Sequence, residues 1–139
     1  MSNRGDSSSI SEPLSVAYYC TGHGLGHATR AIEICKHLVA RGHSVYMVSG
    51  APARFFLQQL ISPRFMVRKA VLDSGSKQLD PFTVDMKGSL EDYHRTCVAH
   101  RSTLLNSEVA WLKANQVGLR RVVRRAGIYI SIYIHAPML

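Results

Sequence analysis

Apolar residues in the first third of the chain form two short runs separated by a stretch of helical periodicity. Residues 14–20 and residues 43–49 are compact apolar runs, and each predicts a buried strand. Between them, from 28 to 39, apolar residues recur at steps of three or four with charged residues on the opposite face, which predicts an amphipathic helix. Gly42 follows directly and suits the left-handed conformation that ends many helices.

This order of strand, glycine-rich turn, helix and strand is that of a βαβ unit, whose strands are parallel. Residues 52–61 predict a short second helix that starts at a proline, and residues 65–72 predict a third strand. Arg68 and Lys69 indicate that this strand, or its end, lies near an edge of the sheet. The sequence therefore predicts an α/β fold with a partial, Rossmann-like parallel sheet.

The second half of the chain is less regular. Residues 73–87 contain glycine, proline and aspartate and predict a loop long enough to carry function or to be mobile. Helical spacing without an internal glycine or proline then predicts one long helix over 89–114, with Tyr93 and Trp111 in the core. Residues 128–134 have high β propensity and almost no charge, so as an edge strand they would promote aggregation.

The chain has 139 residues and a net charge of +8, a size that suits one globular domain. Residues 1–13 are polar and Ser-rich and predict a disordered N-terminus, whereas residues 14–117 hold the α/β domain. Residues 118–139 contain four arginines and no acidic residue. This change of composition predicts a divergent basic tail.

Composition also excludes several classes of function. No apolar run approaches the roughly 20 residues that span a bilayer, and the N-terminus lacks the apolar segment of a secretory signal. We therefore expect a cytoplasmic protein that binds no membrane; the alternative is that the Ser-rich N-terminus is an organelle transit segment. The arginines of 120–125 lack aromatic stacking residues and a nucleic-acid motif, which favours a solvated basic stretch over nucleic-acid binding. Three cysteines without a C-x-x-C pair indicate neither a disulfide framework nor a zinc site.

The segment 21–27, Thr-Gly-His-Gly-Leu-Gly-His, lies between the first strand and the first helix. Its glycines allow a tight turn and bring backbone N–H groups close to an anion, so the position suits a phosphate or a sugar. Alternatively, the glycines only permit close packing of strand and helix. A dinucleotide fingerprint would need a small residue at His27 and an acid after the second strand, and a P-loop would need a Gly-Lys pair; both are missing, which disfavours NAD and P-loop ATP.

His27 lies at or next to the helix N-terminus, where the helix dipole favours a neutral imidazole that can act as a general base on a sugar hydroxyl. The alternative is a capping or buried histidine bonded to the backbone. With His23 it does not make a metal site, because glycines separate the two and no cysteine or carboxylate lies beside them. Asp73, Asp80 and Asp85 are attributed to turn chemistry. The candidate ligand-binding residues are Gly22, His23, Gly24, Gly26, His27 and Arg30.

Several short motifs resemble the beginning of the plant L-arabinokinase family: 17–30, 48–52, 62–64, 72–73 and 83–85. In that family a region that looks like a glycosyltransferase of the GT-B type precedes a GHMP-type sugar kinase domain. The family transfers the γ-phosphate of ATP, with Mg, to L-arabinose and forms L-arabinose 1-phosphate. The resemblance implies the N-terminal half of a GT-B fold here, with His27 at the position of the loop histidine that acts as base on an acceptor hydroxyl.

The resemblance covers about 14–117, and neither a GHMP-type ATP loop nor a donor-binding half follows it. We therefore expect no cofactor in this chain and neither kinase nor transferase activity from it alone. We interpret it as the truncated product, through splicing, intron read-through or a gene-model error, of an L-arabinokinase-like gene. The alternatives are a stand-alone module that binds a sugar or sugar nucleotide, and one subunit of a GT-B glycosyltransferase. An exposed sheet edge predicts self-association.

Overall fold

The computed structural model describes residues 13–71 and 73–117, together with the backbone of one strand over residues 132–135. The remaining parts of the predicted N-terminus and basic tail lie outside the described residues. In chain order the elements are β1 (Ser15–Cys20), α1 (Leu25–Ala40), β2 (Ser44–Ser49), α2 (Ala53–Leu57), β3 (Phe65–Lys69), β4 (Gln78–Asp80), β5 (Thr83–Val84), α3 (Met86–Tyr93), a π-helical turn (His94–Val98), α4 (Arg101–Ala114) and β6 (Ile132–His135).

The main sheet has the strand order β3-β2-β1-β6. β1 pairs in parallel with β2, Ser15 opposite Ser44, and β2 pairs in parallel with β3, Val45 opposite Phe65. β6 adds to the free side of β1 in the antiparallel direction. Three parallel strands that alternate with helices confirm the predicted α/β class and are consistent with a partial Rossmann-like fold. β3 ends one side of the described sheet, so Arg68 and Lys69 lie at its edge, as predicted.

One face of the sheet packs against α1 and α2 and forms the main core. Because side chains alternate along a strand, Val16 and Tyr18 of β1 and Val45 and Met47 of β2 point to this face and are buried. α1 contributes its periodic apolar stripe, whose charged opposite side faces solvent. The core consists of Val16, Tyr18, Ala28, Ala31, Ile32, Cys35, Val45, Met47, Ala51, Phe56 and Phe65.

α4 covers the opposite face of the sheet with a second, smaller cluster. Leu112 and Val117 pack there against Ala17 of β1, with Tyr46 and Trp111 at the margin. The rings of Tyr46 and Trp111 meet edge to face at 5.3 Å. Helices therefore lie on both faces of the parallel strands, which buries them as a parallel sheet requires.

Several predicted boundaries differ from the structure. The predicted second helix over 52–61 is shorter, since α2 covers only Ala53–Leu57. α1 begins at Leu25 and not at residue 28, because its first turn is exposed and adds no apolar position to the stripe that marks the helix. The predicted third strand ends at Lys69. The predicted loop over 73–87 contains the β4–β5 hairpin, in which Asp80 Oδ1 accepts a hydrogen bond from Phe82 N at 2.8 Å.

The predicted single helix over 89–114 is divided in two. In the π-helical turn, Ala99 N donates to His94 O at 2.8 Å, and the Thr96 hydroxyl donates to the Asp92 carbonyl at 2.6 Å. No glycine or proline marks this break, so the pattern of apolar positions gave no sign of it. Tyr93, predicted to be core, is 51% exposed, because α3 does not pack on the sheet as α4 does.

No helix in the described part of the chain is both long enough and apolar enough to cross a membrane.

Candidate ligand site at the glycine-rich loop

The glycine-rich loop leaves the carboxyl end of β1 and leads directly into α1. β1 has a parallel neighbour on one side only, since β2 pairs with one of its edges and the antiparallel β6 with the other. In open α/β sheets, ligands bind beyond the carboxyl ends of the strands where the strand order reverses. The position of the loop is therefore that of a ligand site.

Gly22 serves the packing of two loops. A Cβ atom at Gly22 would lie 2.9 Å from Cα of Gly50, in the loop that follows β2, and 3.1 Å from N of Ala51. The Ser49 hydroxyl ties the same loops together, since it donates to the Thr21 carbonyl at 3.4 Å and accepts from Ala51 N at 3.1 Å. For Gly22, close backbone approach is thus the reason for glycine.

Gly24 and Gly26 are exposed and differ from Gly22 in their surroundings. Gly24 has φ +80 immediately before α1, a conformation that favours glycine, and a Cβ atom at either position would meet no atom within 4 Å. No side chain caps the N-terminus of α1. The backbone N–H groups of the first turn therefore have no side-chain acceptor from a cap residue.

His23 reaches from this loop to the segment after β3. Its Nε2 atom lies 3.4 Å from the carbonyl oxygen of Asp73. A Cβ atom at Gly75 would lie 2.6 Å from the imidazole, so only glycine lets the ring rest on this segment. The contact joins the carboxyl ends of β1 and β3 at one place.

A cleft of about 320 Å³ opens beside this contact. Of the predicted site residues, only His23 lines it; the other lining residues were not predicted as ligand-binding. Asp80 and Asp85 do perform turn and cap chemistry, whereas Asp73 is a cleft residue. A run of small polar residues over 73–76, a few residues after β3, is the sequence signal for this wall. The cleft is lined by His23, Val71, Asp73, Ser74, Gly75, Ser76, Lys77, Asp92 and Thr96.

The far wall of the cleft is fixed by ion pairs around Asp92. Arg95 Nη2 lies 2.5 Å from Asp92 Oδ1, and Lys77 Nζ lies 3.2 Å from Oδ2. Hydrogen bonds from Arg95 and then Lys77 lower the pKa of the Asp92 carboxyl. The Lys77 backbone N–H also donates to the Ser89 hydroxyl at 2.9 Å. The one lysine of the cleft is therefore already engaged by a carboxylate.

The structure places His27 and Arg30 on α1, outside the residues that line the cleft. His27 is the third residue of the helix and is half-buried, and its Nδ1 atom is buried without a hydrogen-bond partner among the described residues. Arg30 lies one turn further along and is exposed. Neither the helix-capping alternative nor a bond to backbone is seen for Nδ1.

The residues around the site form no metal-binding cluster: no three histidine, cysteine or acidic side chains converge anywhere in residues 13–71 and 73–117. Burial, followed by the charge of Asp73, raises the pKa of the Cys20 thiol to about 11. Cys20, at the end of β1, is therefore a protonated thiol at neutral pH.

Sequence comparison finds a protein with similar motifs. Over 110 residues, 79% of this chain, the sequence is 50% identical to L-arabinokinase of Arabidopsis thaliana. The chain is related to L-arabinokinase. This confirms the resemblance seen in the short motifs of the sequence. The matched segment is only 10% of the length of L-arabinokinase, so the chain corresponds to a small part of it.

No protein-family model and no solved structure matches the chain. The similarity to L-arabinokinase is therefore a similarity of sequence.

Proposed function

We propose that this chain is a segment of an L-arabinokinase-like protein and that its α/β domain binds a sugar or a sugar nucleotide. The observation that carries the proposal is the contact of His23 with the segment after β3, which forms a cleft at the carboxyl ends of β1 and β3. The similarity to L-arabinokinase supports a carbohydrate as ligand. In this proposal the domain is the N-terminal half of a GT-B type fold.

The chemistry of the site suits carbohydrate hydroxyl groups. Carboxylates, serine and threonine hydroxyls and an imidazole provide donors and acceptors within one cleft. Beside it, the uncapped N–H groups of the first turn of α1 can donate hydrogen bonds to the diphosphate of a sugar nucleotide. The candidate residues Gly24, Gly26 and Arg30 would then contact the phosphate side of the ligand.

In this proposal, other parts of the longer protein phosphorylate L-arabinose with ATP and Mg. This chain alone is inactive, and it is cytoplasmic.

A second function, as one subunit of a glycosyltransferase, is favoured by His27. Its Nδ1 atom is buried without a partner among the described residues, so this nitrogen makes no hydrogen bond of the kind that holds a structural histidine. In that function His27 is the base.

Calorimetric titration of the full chain with L-arabinose and with a uridine diphosphate sugar tests the proposal. We expect saturable binding that His23→Ala weakens about tenfold, because a side chain that lines the cleft is lost. The matched control is His37→Ala, which removes an exposed histidine from the last turn of α1. Folded protein that binds neither compound at millimolar concentration would show the proposal to be wrong.

A further inference from the structure

We infer that the edge of β1 covered by β6 is a docking site for a strand of a partner chain, which runs parallel to β1 and displaces β6. The partner is the part of an L-arabinokinase-like polypeptide that follows the segment matched here. The inference rests on one part of the proposed function, that the chain is a segment of such a protein, and it is independent of sugar binding. It depends on the handedness of the fold, on the pairing of β6 and on the charge of the sheet edges.

The handedness of the fold directs a parallel strand to this edge. β1, β2 and β3 follow one another across the sheet with α1 and α2 on one face, and α4 lies on the opposite face. A right-handed connection on the opposite face leads back across the sheet to the side of β1 away from β2, and the strand that ends it is parallel to β1. Val117, shortly after α4, already packs on Ala17 of β1. The fold therefore provides a place for a parallel strand beside β1.

β6 occupies this place, but it runs in the opposite direction. It is antiparallel to β1, and its register covers four positions, from Ser15 opposite His135 to Tyr18 opposite Ile132. β2, on the other side, pairs with β1 over all six of its residues. Strands that add to a sheet edge gain affinity from main-chain hydrogen bonds, so a strand that pairs over the whole length of β1 can compete with β6.

The two strands that could accept a partner differ in charge. β1, with the sequence Ser-Val-Ala-Tyr-Tyr-Cys, contains no charged residue, whereas β3, at the other edge of the described sheet, contains Arg68 and Lys69. Charged residues on an edge strand oppose the addition of another strand. An uncharged extended segment is therefore expected to add beside β1 and not beside β3.

Proline substitutions in β6 can weaken its pairing with β1 selectively. Ser44 N donates to the Leu14 carbonyl, and because the direction of the backbone groups alternates along a strand, Ala17 turns its N–H and C=O toward β6. Tyr133 lies opposite Ala17 and so directs its own N–H at β1, whereas the N–H of Ile134 points away. Tyr133→Pro therefore removes a donor of the ladder, and Ile134→Pro, the matched control, does not.

Fluorescence anisotropy on the full chain tests the inference, with a labelled synthetic peptide that spans the residues directly after the matched segment of L-arabinokinase of Arabidopsis thaliana. We expect saturable binding to the parent chain and binding at least about tenfold tighter to Tyr133→Pro, because a weakened β6 leaves the edge open in a larger fraction of molecules. Ile134→Pro should bind the peptide as the parent does. A photoreactive group at the C-terminal end of the peptide should label residues near Cys20, where a parallel strand ends.

Several outcomes would overturn the inference. These are no binding of the peptide to the folded parent chain, equal affinity of the parent and folded Tyr133→Pro, and labelling near Leu14, which would mean antiparallel docking. A Tyr133→Pro dimer that the peptide does not dissociate would also overturn it, since a second copy would then be the occupant. Circular dichroism spectra establish that the variants are folded. Sugar binding is measured by its own titration, so the failure of one hypothesis is distinguishable from the failure of the other.

Discussion

The glycines of the loop after β1 are present for different physical reasons. Gly22 lies where two backbones meet, so a methyl group there would collide with Gly50. Gly26 lies in the first turn of α1, and a methyl group there would meet no atom within 4 Å. One sequence motif thus combines a packing glycine with a glycine that keeps the surface of a candidate site open.

Alanine substitutions separate these two roles. Gly22→Ala forces backbone atoms apart, and overpacking of this kind costs about 1–3 kcal/mol of unfolding free energy. Gly26→Ala, the matched control, should be neutral or stabilising by up to about 1 kcal/mol, because alanine is the better helix former. Urea unfolding of both variants measures the difference. Equal stability of the two would contradict the close approach of Gly22 and Gly50.

At the scale of elements, the contact of α4 with the sheet depends on a polar cluster. Glu108 accepts from Tyr19 Oη at 2.8 Å and from Arg68 Nη1 at 2.5 Å, so it joins α4 to β1 and β3. The guanidinium of Arg68 lies 4.5 Å from the ring centroid of Trp111, in cation–π contact. The side chains of Arg68 and Glu108 are only 22% and 12% exposed, so solvent screens their attraction weakly.

Glu108→Gln is expected to loosen α4. The substitution leaves the half-buried guanidinium of Arg68 without its counter-charge. The free energy of unfolding should therefore fall by about 2–3 kcal/mol, which is less than the 3–5 kcal/mol typical when a fully buried pair is broken. Glu33→Gln is the matched control, since its pair with Lys36 is exposed and worth at most about 1 kcal/mol. Urea unfolding followed through the single tryptophan, Trp111, reports both. A loss no greater than that of the control would contradict the role of this cluster.

The local pattern of apolar residues and glycines predicted the first βαβ unit, because each of its elements can be recognised from its own stretch of sequence. The run of β1, the stripe of α1 and the glycine after it depend on neighbours along the chain. The hairpin over 78–84 depends instead on a hydrogen bond that Asp80 accepts, and the π-helical turn on one that Thr96 donates; neither leaves a periodic pattern in the sequence. For the same reason, the predicted long helix was wrong in its middle.

Of the candidate site, only the glycine-rich loop after β1 could be predicted from the sequence. His23 belongs to a motif whose place after a strand is evident in the sequence. Its partners Asp73 and Gly75 are 50 or more residues away along the chain, and only the pairing of β1, β2 and β3 brings them together. Turn chemistry explained Asp80 and Asp85 but not Asp73, because the three differ in tertiary surroundings and not in local sequence.

On the scale of the whole molecule, the main core contains weak acids that are stable there only while protonated. Burial raises the pKa of Cys35 from its usual value of 9.0 to about 12, and burial raises that of Tyr18 to about 12. Both lie between α1 and the sheet, and Tyr18 Oη has no hydrogen-bond partner among the described residues. Ionisation of either group would place a charge in an apolar core.

The stability of the fold should therefore fall at alkaline pH. Because the pKa of Cys35 is higher in the folded state, its contribution is complete below about pH 9 and is lost as the pH rises to about 12. Between these pH values, each such group lowers the free energy of unfolding by about 1.4 kcal/mol per pH unit. The measurement is urea unfolding of the parent protein and of Cys35→Ala between pH 7 and pH 12. The variant should be less stable than the parent at neutral pH, and the difference in their free energies of unfolding should shrink above pH 9.

Ile32→Val is the matched control for this difference. Ile32 is as deeply buried on α1 as Cys35, and the substitution costs about 0.5–1.5 kcal/mol without removing a titratable group. The difference in free energy of unfolding between Ile32→Val and the parent protein should stay constant as the pH rises, because both chains lose the same protons. A Cys35→Ala difference that also stayed constant up to pH 12 would mean that this thiol ionises as readily in the folded chain as in the unfolded one, and the core would then not enclose it as described.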